Sequence, residues 1–520
     1  MAKSIERGAK RLAEAIAERY RQGETDYWLS PLVVVDSRGA VGRVQTGDVV
    51  VFCCRRGERE IQLTRAFADP SFAHFPRTDL NPLLFVTLTR YHPDLWYLPA
   101  AFAPQDIADT IGEVVSRAGL HQLRAAEEEK YAHITYFLSG GRAAPFPGER
   151  DLRVPSSLSD PPRALPGLVR ELRAAWAAHD PAWIAVNVAT GDISGHSPAI
   201  EPKIACAEAV DQALEELLGL ASQHGCWTVI TADHGLLEDH GPPAGPPNNA
   251  HTTHHVPLIV VGPRGERPRL QPRGALADVA PTILAMMGMA IPDAMTGHPL
   301  VMDRGRMSHP VLLIILDGWG LPVEGRVDPI TLANTPCWDA LQRGPMARLD
   351  ASGEAVGLLP GRKGNSEAGH LNIGAGRVVP QDEVRIEQAI AAGTFTRAPA
   401  LQHAVATAKE RGSSLHLIGL LSHQSSHGAV NYVVELVKAA RREGVTRVYV
   451  HLITDGRSTV PGTAPQLLRE LGQEMAQIGV GMAVTAVGRG LALDRGGDYI
   501  GKTQRAYRAL VHGEGTAVFT

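Results

Sequence analysis

Several short stretches of this 520-residue chain carry cation-binding side chains next to apolar runs. "GDISGHS" sets Asp192 and His196 four residues apart, a spacing at which one helical turn or tight loop offers two ligands to one ion. "TADHG" joins Asp233 to His234 directly after "WTVI", and "NNAHTTHHVPLIVV" supplies His251, His254 and His255 ahead of another apolar run. Mixed carboxylate and imidazole donors suit manganese, zinc or iron rather than calcium or magnesium. With Asp317, at the end of "VLLIIL", and Ser366, in "GRKGNSEAGH", there are enough groups for two divalent ions in one site. Such a pair, about 3.5–4 Å apart, clamps the oxygens of a phosphoryl group. Ser366 itself reads in two ways. It is a turn residue among Gly361, Gly364, Asn365 and Gly369, or a nucleophile whose hydroxyl is activated by a neighbouring cation. Zinc does this to bound water, whose pKa falls from about 15.7 to about 7. On the second reading no histidine base is needed.

Folded elements have to deliver these groups to one place. Short β-branched runs alternate with longer amphipathic stretches: "WIAVNV" at 183–188, a helix-like 199–225, then "WTVITADHG" at 227–235. The rhythm returns in "SLHLIGLLS" (414–422), "YVVELVKAARREGV" (432–445), "RVYVHLITDG" (447–456) and "GMAVTAVG" (481–488). This alternation predicts α/β domains, each a mainly parallel sheet covered by helices. Asp192, Asp233, His234 and Asp317 each follow a predicted strand, and ligands of open parallel sheets gather beyond the carboxyl ends of the strands. Any one of them is also an ordinary cap or turn residue. Their recurrence at strand ends points to a site.

The chain is too long for one ordinary core, so two domains of about 200–280 residues are expected. Fifty-one basic and 55 acidic side chains leave a formal charge of -4 with no long single-sign block. That excludes the usual electrostatic footprint of nucleic-acid or anionic-lipid binders and favours a small partner. The five cysteines are odd in number and form no C-x-x-C pair, which fits reduced thiols; the adjacent Cys53 and Cys54 read as strand residues. Apolar runs such as 311–316 and 256–262 fall far short of the ~20 residues that span a bilayer, and read as buried strands. The N-terminal stretch 2–23 has basic residues on a helical period, but Glu6, Glu14 and Glu18 argue against a transit peptide. A surface helix and a cytoplasmic location are expected.

Longer words surround these groups: "VLLIILDGWG", "ANTPCWDAL", "LDASGEAVGLLPGRKGNSEAGHLNIGAGRVVPQDEVRI", "TDGRST", "VGRGLALDR", "QLTRAF", "GLHQLRAAEEEKYAHITYF", "PFPGE", "TADHG", "AHTT" and "LADVAPTILAMMG". In these words the chain resembles the cofactor-independent (2,3-bisphosphoglycerate-independent) phosphoglycerate mutases of the alkaline phosphatase superfamily, over nearly its whole length. The family order begins with the "LIILDGWG" strand, which here follows the family's usual ending at 281–300. The resemblance therefore implies a circular permutant, joined at a polar linker around 303–309, with residue 520 near residue 1. It implies an alkaline-phosphatase-like doubly wound domain running unbroken over 108–377. A smaller α/β transferase-like domain would combine 1–102 with 383–520, through hinges at 103–107 and 378–382 about which closure is expected.

The resemblance also implies roles. One metal takes Asp192, His196 and His251; the other takes Asp317, Ser366, Asp233 and His234. Manganese is the implied metal, with no 2,3-bisphosphoglycerate and a monomeric chain. Ser366 accepts the phosphoryl group of a phosphoglycerate and returns it to the other hydroxyl, with Lys130 offsetting developing charge and His427 as the catalytic-loop histidine. Arg56, Arg59, Arg457, Arg489 and Arg495 bind the phosphate and carboxylate, anions suited to bidentate arginine.

Several substrate-side positions depart from the family pattern. "LLSDGGVHSH" reads "LLSHQSSHGA", so Ala429 replaces a histidine; Ser458 stands where an aspartate acid/base is expected; "NFRxDR" has become Cys54 to Arg59; and Arg362 and Lys363 precede the serine. General acid/base assistance is worth about 100- to 10,000-fold. A phosphohydrolase or a mutase for another small phosphorylated acid is therefore the second expectation, and a non-catalytic metal-binding relic the third.

Overall fold

The computed structural model describes residues 2–302 and 310–520. The expected joining linker at 303–309, and residue 1, lie outside the described residues. The chain divides into two compact units: Gln105–Val384, and a second made of Met1–Pro104 with Arg385–Thr520. No described helix is long and apolar enough to cross a membrane, and all five cysteines are free thiols.

In the unit Gln105–Val384 the strand Val311–Leu316 lies inside an eight-stranded sheet, between Trp183–Val188 and Trp227–Thr231. Its six side chains are at most 1% exposed. Burying a Leu, Ile or Val stabilises by about 1.5–3 kcal/mol, so a run of six commits the segment to the core. Both neighbours run parallel to it, with Leu316 opposite Val188 and Ile315 opposite Thr231. The residues that follow each strand, Asp317, Ala189 and Ala232, therefore emerge along one edge.

The expected mainly parallel arrangement has an exception that matters to the site. Val256–Val261 runs antiparallel to Trp227–Thr231, with Leu258 opposite Thr231. A parallel return needs a crossover, normally a helix, and the segment between Thr231 and Val256 contains none. The chain loops back instead, and the histidine segment 251–255 enters the sheet at the edge where Asp233 and His234 leave it.

The other unit has a nine-stranded mixed sheet. From Met482–Gly488 it runs through Val448–Thr454, Leu415–Leu421, Val49–Cys53 and Leu84–Thr89 to Ala100–Phe102, all parallel. Beyond Met482–Gly488 lie Leu32–Asp36, antiparallel to it, and Thr516–Phe519, parallel to Leu32–Asp36. Cys53 closes its strand, but Cys54 lies past the strand end, a small correction to the reading of the pair. The N-terminal helix Ala2–Arg21 buries Ile5, Ala9, Leu12, Ala13 and Ile16 and keeps its charges outside. It packs on Ala464–Ile478, Met482–Gly488 and Thr516–Phe519, so the first helix and the last strand are neighbours.

Candidate metal centre and arginine cluster

"GRKGNSEAGH" is a loop leading into a helix. Asn365 caps the helix Ser366–Ala375, its side chain accepting a hydrogen bond from Ala368 N at 2.9 Å. Ser366 is thus the first helical residue rather than a free turn residue, and it is buried. Two of the glycines are there for close approach. A Cβ on Gly369 would stand 2.5 Å from Asp233 O, and one on Gly364 2.2 Å from Ala351 O and 2.9 Å from His234 Cβ. Either substitution would push the helix away from "TADHG".

The Ser366 hydroxyl sits 2.6 Å from Lys130 Nζ, 3.0 Å from His234 Nε2 and 3.4 Å from Asp317 Oδ1. Lys130, on the short turn Glu128–Lys130, also reaches Asp192 Oδ2 at 2.8 Å and Asp317 Oδ1 at 2.9 Å. Burial works against its charge, but Asp317, Asp192 and Asp233 outweigh it and hold the ammonium well above its ordinary value. Asp192 lies within the short helix Thr190–Gly195, and His196 caps that helix at its C-terminus, so the four-residue spacing does become one helical turn.

Three imidazole nitrogens face one carboxylate oxygen. His251, His196 and His234 place Nε2 at 3.2, 3.5 and 3.7 Å from Asp192 Oδ1. The Nδ1 atoms of His196 and His251 face the carbonyls of Asn249 (2.9 Å) and Gly364 (2.8 Å). Each Nδ1–H therefore donates to a carbonyl, and in the neutral ring the Nε2 lone pair is turned toward Asp192. A lone pair meeting a carboxylate oxygen needs a cation between them, either a proton on the ring or a metal ion. Asp192 Oδ1 and Asp233 Oδ2 are both buried and make no hydrogen bond, an arrangement costly unless a cation satisfies them. The donor set and its two orphaned oxygens fit divalent ions held by mixed oxygen and nitrogen ligands.

Burial raises the Asp192 carboxyl, and hydrogen bonds with His196 and His251 and the charge of Lys130 lower it; burial raises Asp233, and His234, His370 and Lys130 lower it; for both the result lies far below the usual carboxylate range. Burial, with Asp233 and Asp192 close by, pushes Asp317 up to about 7, while burial brings His234 down to about 4. The ligand atoms form three overlapping groups, each within 4.8 Å: Asp192, His196 and His251; Asp192, His234 and Asp317; and Asp233, Asp317 and His370.

His370 was not singled out from the sequence, although it stands one turn after Ser366. Nor were Asn187, a lone polar residue inside the apolar strand "WIAVNV", and Glu238. The Glu238 carboxylate is fully buried and accepts from Leu236 N, Gly320 N and Thr252 Oγ1, with His254 Nδ1 at 2.8 Å. It ties the two ends of the loop between Thr231 and Val256 to each other and to the loop that follows Leu316. His254 therefore braces these loops, and His255 pairs with Asp350 instead.

Glu127, at the end of the strand Gln122–Glu127, accepts from Ala189 N at 3.2 Å. Burial pushes its carboxyl up to about 7. Between its ordinary value and that pH the folded state holds a proton that the unfolded state has released, so this group's stabilisation is present at low pH and lost as pH rises through about 7. Glu127→Gln keeps the acceptor and removes the titration. Urea melts across pH 5–8 are expected to show a flatter stability profile in the variant, the removed slope approaching about 1.4 kcal/mol per pH unit; identical profiles would contradict the assignment.

The remaining candidates all belong to the other unit, at the carboxyl ends of its strands. Arg489 is buried against Asp455 Oδ1 at 2.5 Å, and Arg59 is buried, donating to Leu493 O at 3.1 Å. Arg56 and Arg495 are more exposed and share Glu58, each at 3.5 Å. Arg457 is exposed and makes no hydrogen bond or ion pair among the described residues. His427 is buried with Nδ1 2.9 Å from the buried Glu60, a residue that no sequence motif marks. Burial and the charges of Arg489, Arg56, Arg59 and Arg55 bring His427 down to about 3. Ser458 is exposed, and its backbone N–H donates to Asp455.

An α/β sheet whose carboxyl edge gathers three carboxylates, three imidazoles, a lysine and a buried serine at a helix start defines a candidate two-metal centre. Residues 23–291 match the family model of the Metalloenzyme superfamily, and the chain belongs to that superfamily. Residues 386–519 match a second model, described as the BPG-independent PGAM N-terminus. Among curated proteins, the 2,3-bisphosphoglycerate-independent phosphoglycerate mutase of Acaryochloris marina is 39% identical over 304 residues, 56% of each chain. That of Salinibacter ruber is 40% identical over 297 residues, 55% of this chain and 56% of the other. This chain thus spans little more than half the length of these relatives. Among solved structures, a Leishmania mexicana phosphoglycerate mutase at low cobalt concentration overlaps 52% of this chain and 53% of its own, with 26% identity and a TM-score of 0.41.

Proposed function

We propose that this protein is a metal-dependent phosphotransferase that interconverts 3-phosphoglycerate and 2-phosphoglycerate through a phosphoserine at Ser366, without 2,3-bisphosphoglycerate. The observation that carries the reading is the Ser366 hydroxyl, held by Lys130 and His234 beside Asp317 among carboxylate oxygens that lack hydrogen bonds. The names of the curated relatives support the substrate class.

In this reading Asp192, His196 and His251 hold one divalent ion, and Asp317, Ser366, Asp233 and His234 the other, manganese being the metal of choice. The bound ions supply Lewis acidity that lowers the pKa of the serine hydroxyl and offsets phosphoryl charge. Ser366 loses its hydroxyl proton and attacks the phosphorus as the bond to the substrate's 3-oxygen breaks; the released oxygen takes up a proton, and the 2-hydroxyl of the glycerate then gives up its proton and takes the phosphoryl group back from the serine. Lys130 balances charge gathering on the phosphoryl oxygens, and His427 assists at the glycerate hydroxyls. Arg56, Arg59, Arg457, Arg489 and Arg495 bind the substrate's anionic groups, with Arg489 oriented by Asp455 and Arg59 by the Leu493 carbonyl. The protein works as a cytoplasmic monomer, in which Gln105–Val384 is the phosphatase-like domain and the split unit the transferase-like one.

The permuted order belongs to the same proposal. It is supported by a model described as an N-terminus matching residues 386–519, late in this chain, and by the neighbouring first helix and last strand. A phosphohydrolase is the second reading, favoured by Ser458, which brings no carboxylate to its exposed turn. Manganese-loaded protein incubated with 3-phosphoglycerate distinguishes the two. The 2-isomer without free phosphate supports the mutase; phosphate release without the isomer overturns it in favour of the hydrolase.

A further inference from the structure

The three overlapping ligand groups are one more than a two-ion site needs, and the extra group is the one that contains His370. Its ring is fully buried. Nδ1 lies 2.9 Å from the backbone carbonyl of Ser366, and Nε2 lies 2.8 Å from Asn187 Oδ1. Asn187, also fully buried, donates from Nδ2 to Asp317 Oδ2 at 3.0 Å. An ionised carboxylate, the form that binds a cation, can only accept, so with Asp317 ionised this bond sets which way the amide faces, and its oxygen is the atom turned to His370. Both ring nitrogens are therefore turned to protein oxygens that can only accept, so each is an N–H donor and no lone pair is left for a cation. Asp233 Oδ2, 3.4 Å from Nδ1, keeps the lone pairs that an ion would use.

These contacts close a ring. From the Ser366 backbone it passes through His370, Asn187 and the far oxygen of Asp317, and returns through Asp317 Oδ1, 3.4 Å from Ser366 Oγ. One end holds the start of the helix that carries the nucleophile. The other occupies one oxygen of a metal-binding carboxylate, so that its second oxygen alone faces the serine. We infer that His370 and Asn187 are positioning residues, a strut that sets Asp317 against the nucleophile, and that His370 is not a metal ligand. The inference rests on the ligand assignment of the proposed function and not on its substrate.

Manganese alone is the probe, titrated into the metal-free full-length chain by calorimetry, with thermal melts as the check on folding. Outer-shell partners of metal ligands typically contribute about 10- to 100-fold in affinity. Asn187→Ala and His370→Ala are each expected to weaken one of two ions by about that factor and leave the other unchanged. His370→Gln puts an amide nitrogen where Nε2 stands, opposite Asn187 Oδ1. It is expected to bind both ions within about threefold of the unsubstituted protein, a rescue that loss of a ligand would not permit. A His370→Gln protein that folds but binds a single ion overturns the inference, because the imidazole is then a ligand; unchanged affinities in Asn187→Ala overturn it too. Because no substrate is present, failure of the phosphoglycerate assay leaves this result readable, and the reverse holds equally.

Discussion

Ser366→Ala is expected to remove phosphoserine formation altogether and to lower turnover of 3-phosphoglycerate by on the order of 10,000-fold or more, the scale seen when a nucleophile that acts with its partners is deleted. The fold should survive. The helix Ser366–Ala375 is capped by the Asn365 side chain, not by the serine, and Lys130 retains Asp192 and Asp317 as partners. His370 bonds the backbone carbonyl at 366, which alanine keeps. A coupled assay with a thermal melt alongside separates the effects: lost turnover at an unchanged melting temperature is expected, and turnover within tenfold of the original protein contradicts the role.

Asp192→Asn should have the next largest effect. The amide preserves the shape of the side chain and removes the charge toward which His251, His196 and His234 turn their Nε2 atoms. It also removes a counter-charge of Lys130. One of two ions should be lost or weakened by on the order of 1,000-fold, beyond the ten- to hundredfold of an outer-shell change, with activity falling alongside it. Equilibrium dialysis against manganese measures this directly. Two ions bound with their original affinity would show that Asp192 is not a ligand.

Much of the candidate metal centre is legible in the sequence, because its signals are local. A carboxylate following an apolar strand, or an aspartate and a histidine four apart, says where a ligand stands relative to its own element. How those elements meet is a non-local matter. The antiparallel turn of Val256–Val261, which brings His251 to the edge that carries Asp233, depends on a loop too irregular to show a period. Asn187 looks like a blemish in a strand until Asp317 and His370 arrive on either side from more than a hundred residues away. Glu238 and Glu60 hide for the same reason: a buried acid and a surface acid have the same letter, and only the partners distinguish them. The arginines show the converse, since motif membership alone does not reveal that Arg489 is locked to Asp455 while Arg457 projects from an exposed turn.

The most direct measurement is the site of covalent labelling. Metal-loaded protein mixed with phosphorus-32 3-phosphoglycerate and quenched in acid, which phosphoserine survives, should carry label on the peptide that contains Ser366, and chelation beforehand should abolish it. Label on any other residue, or isomerisation that proceeds while Ser366 stays unlabelled, would contradict the account.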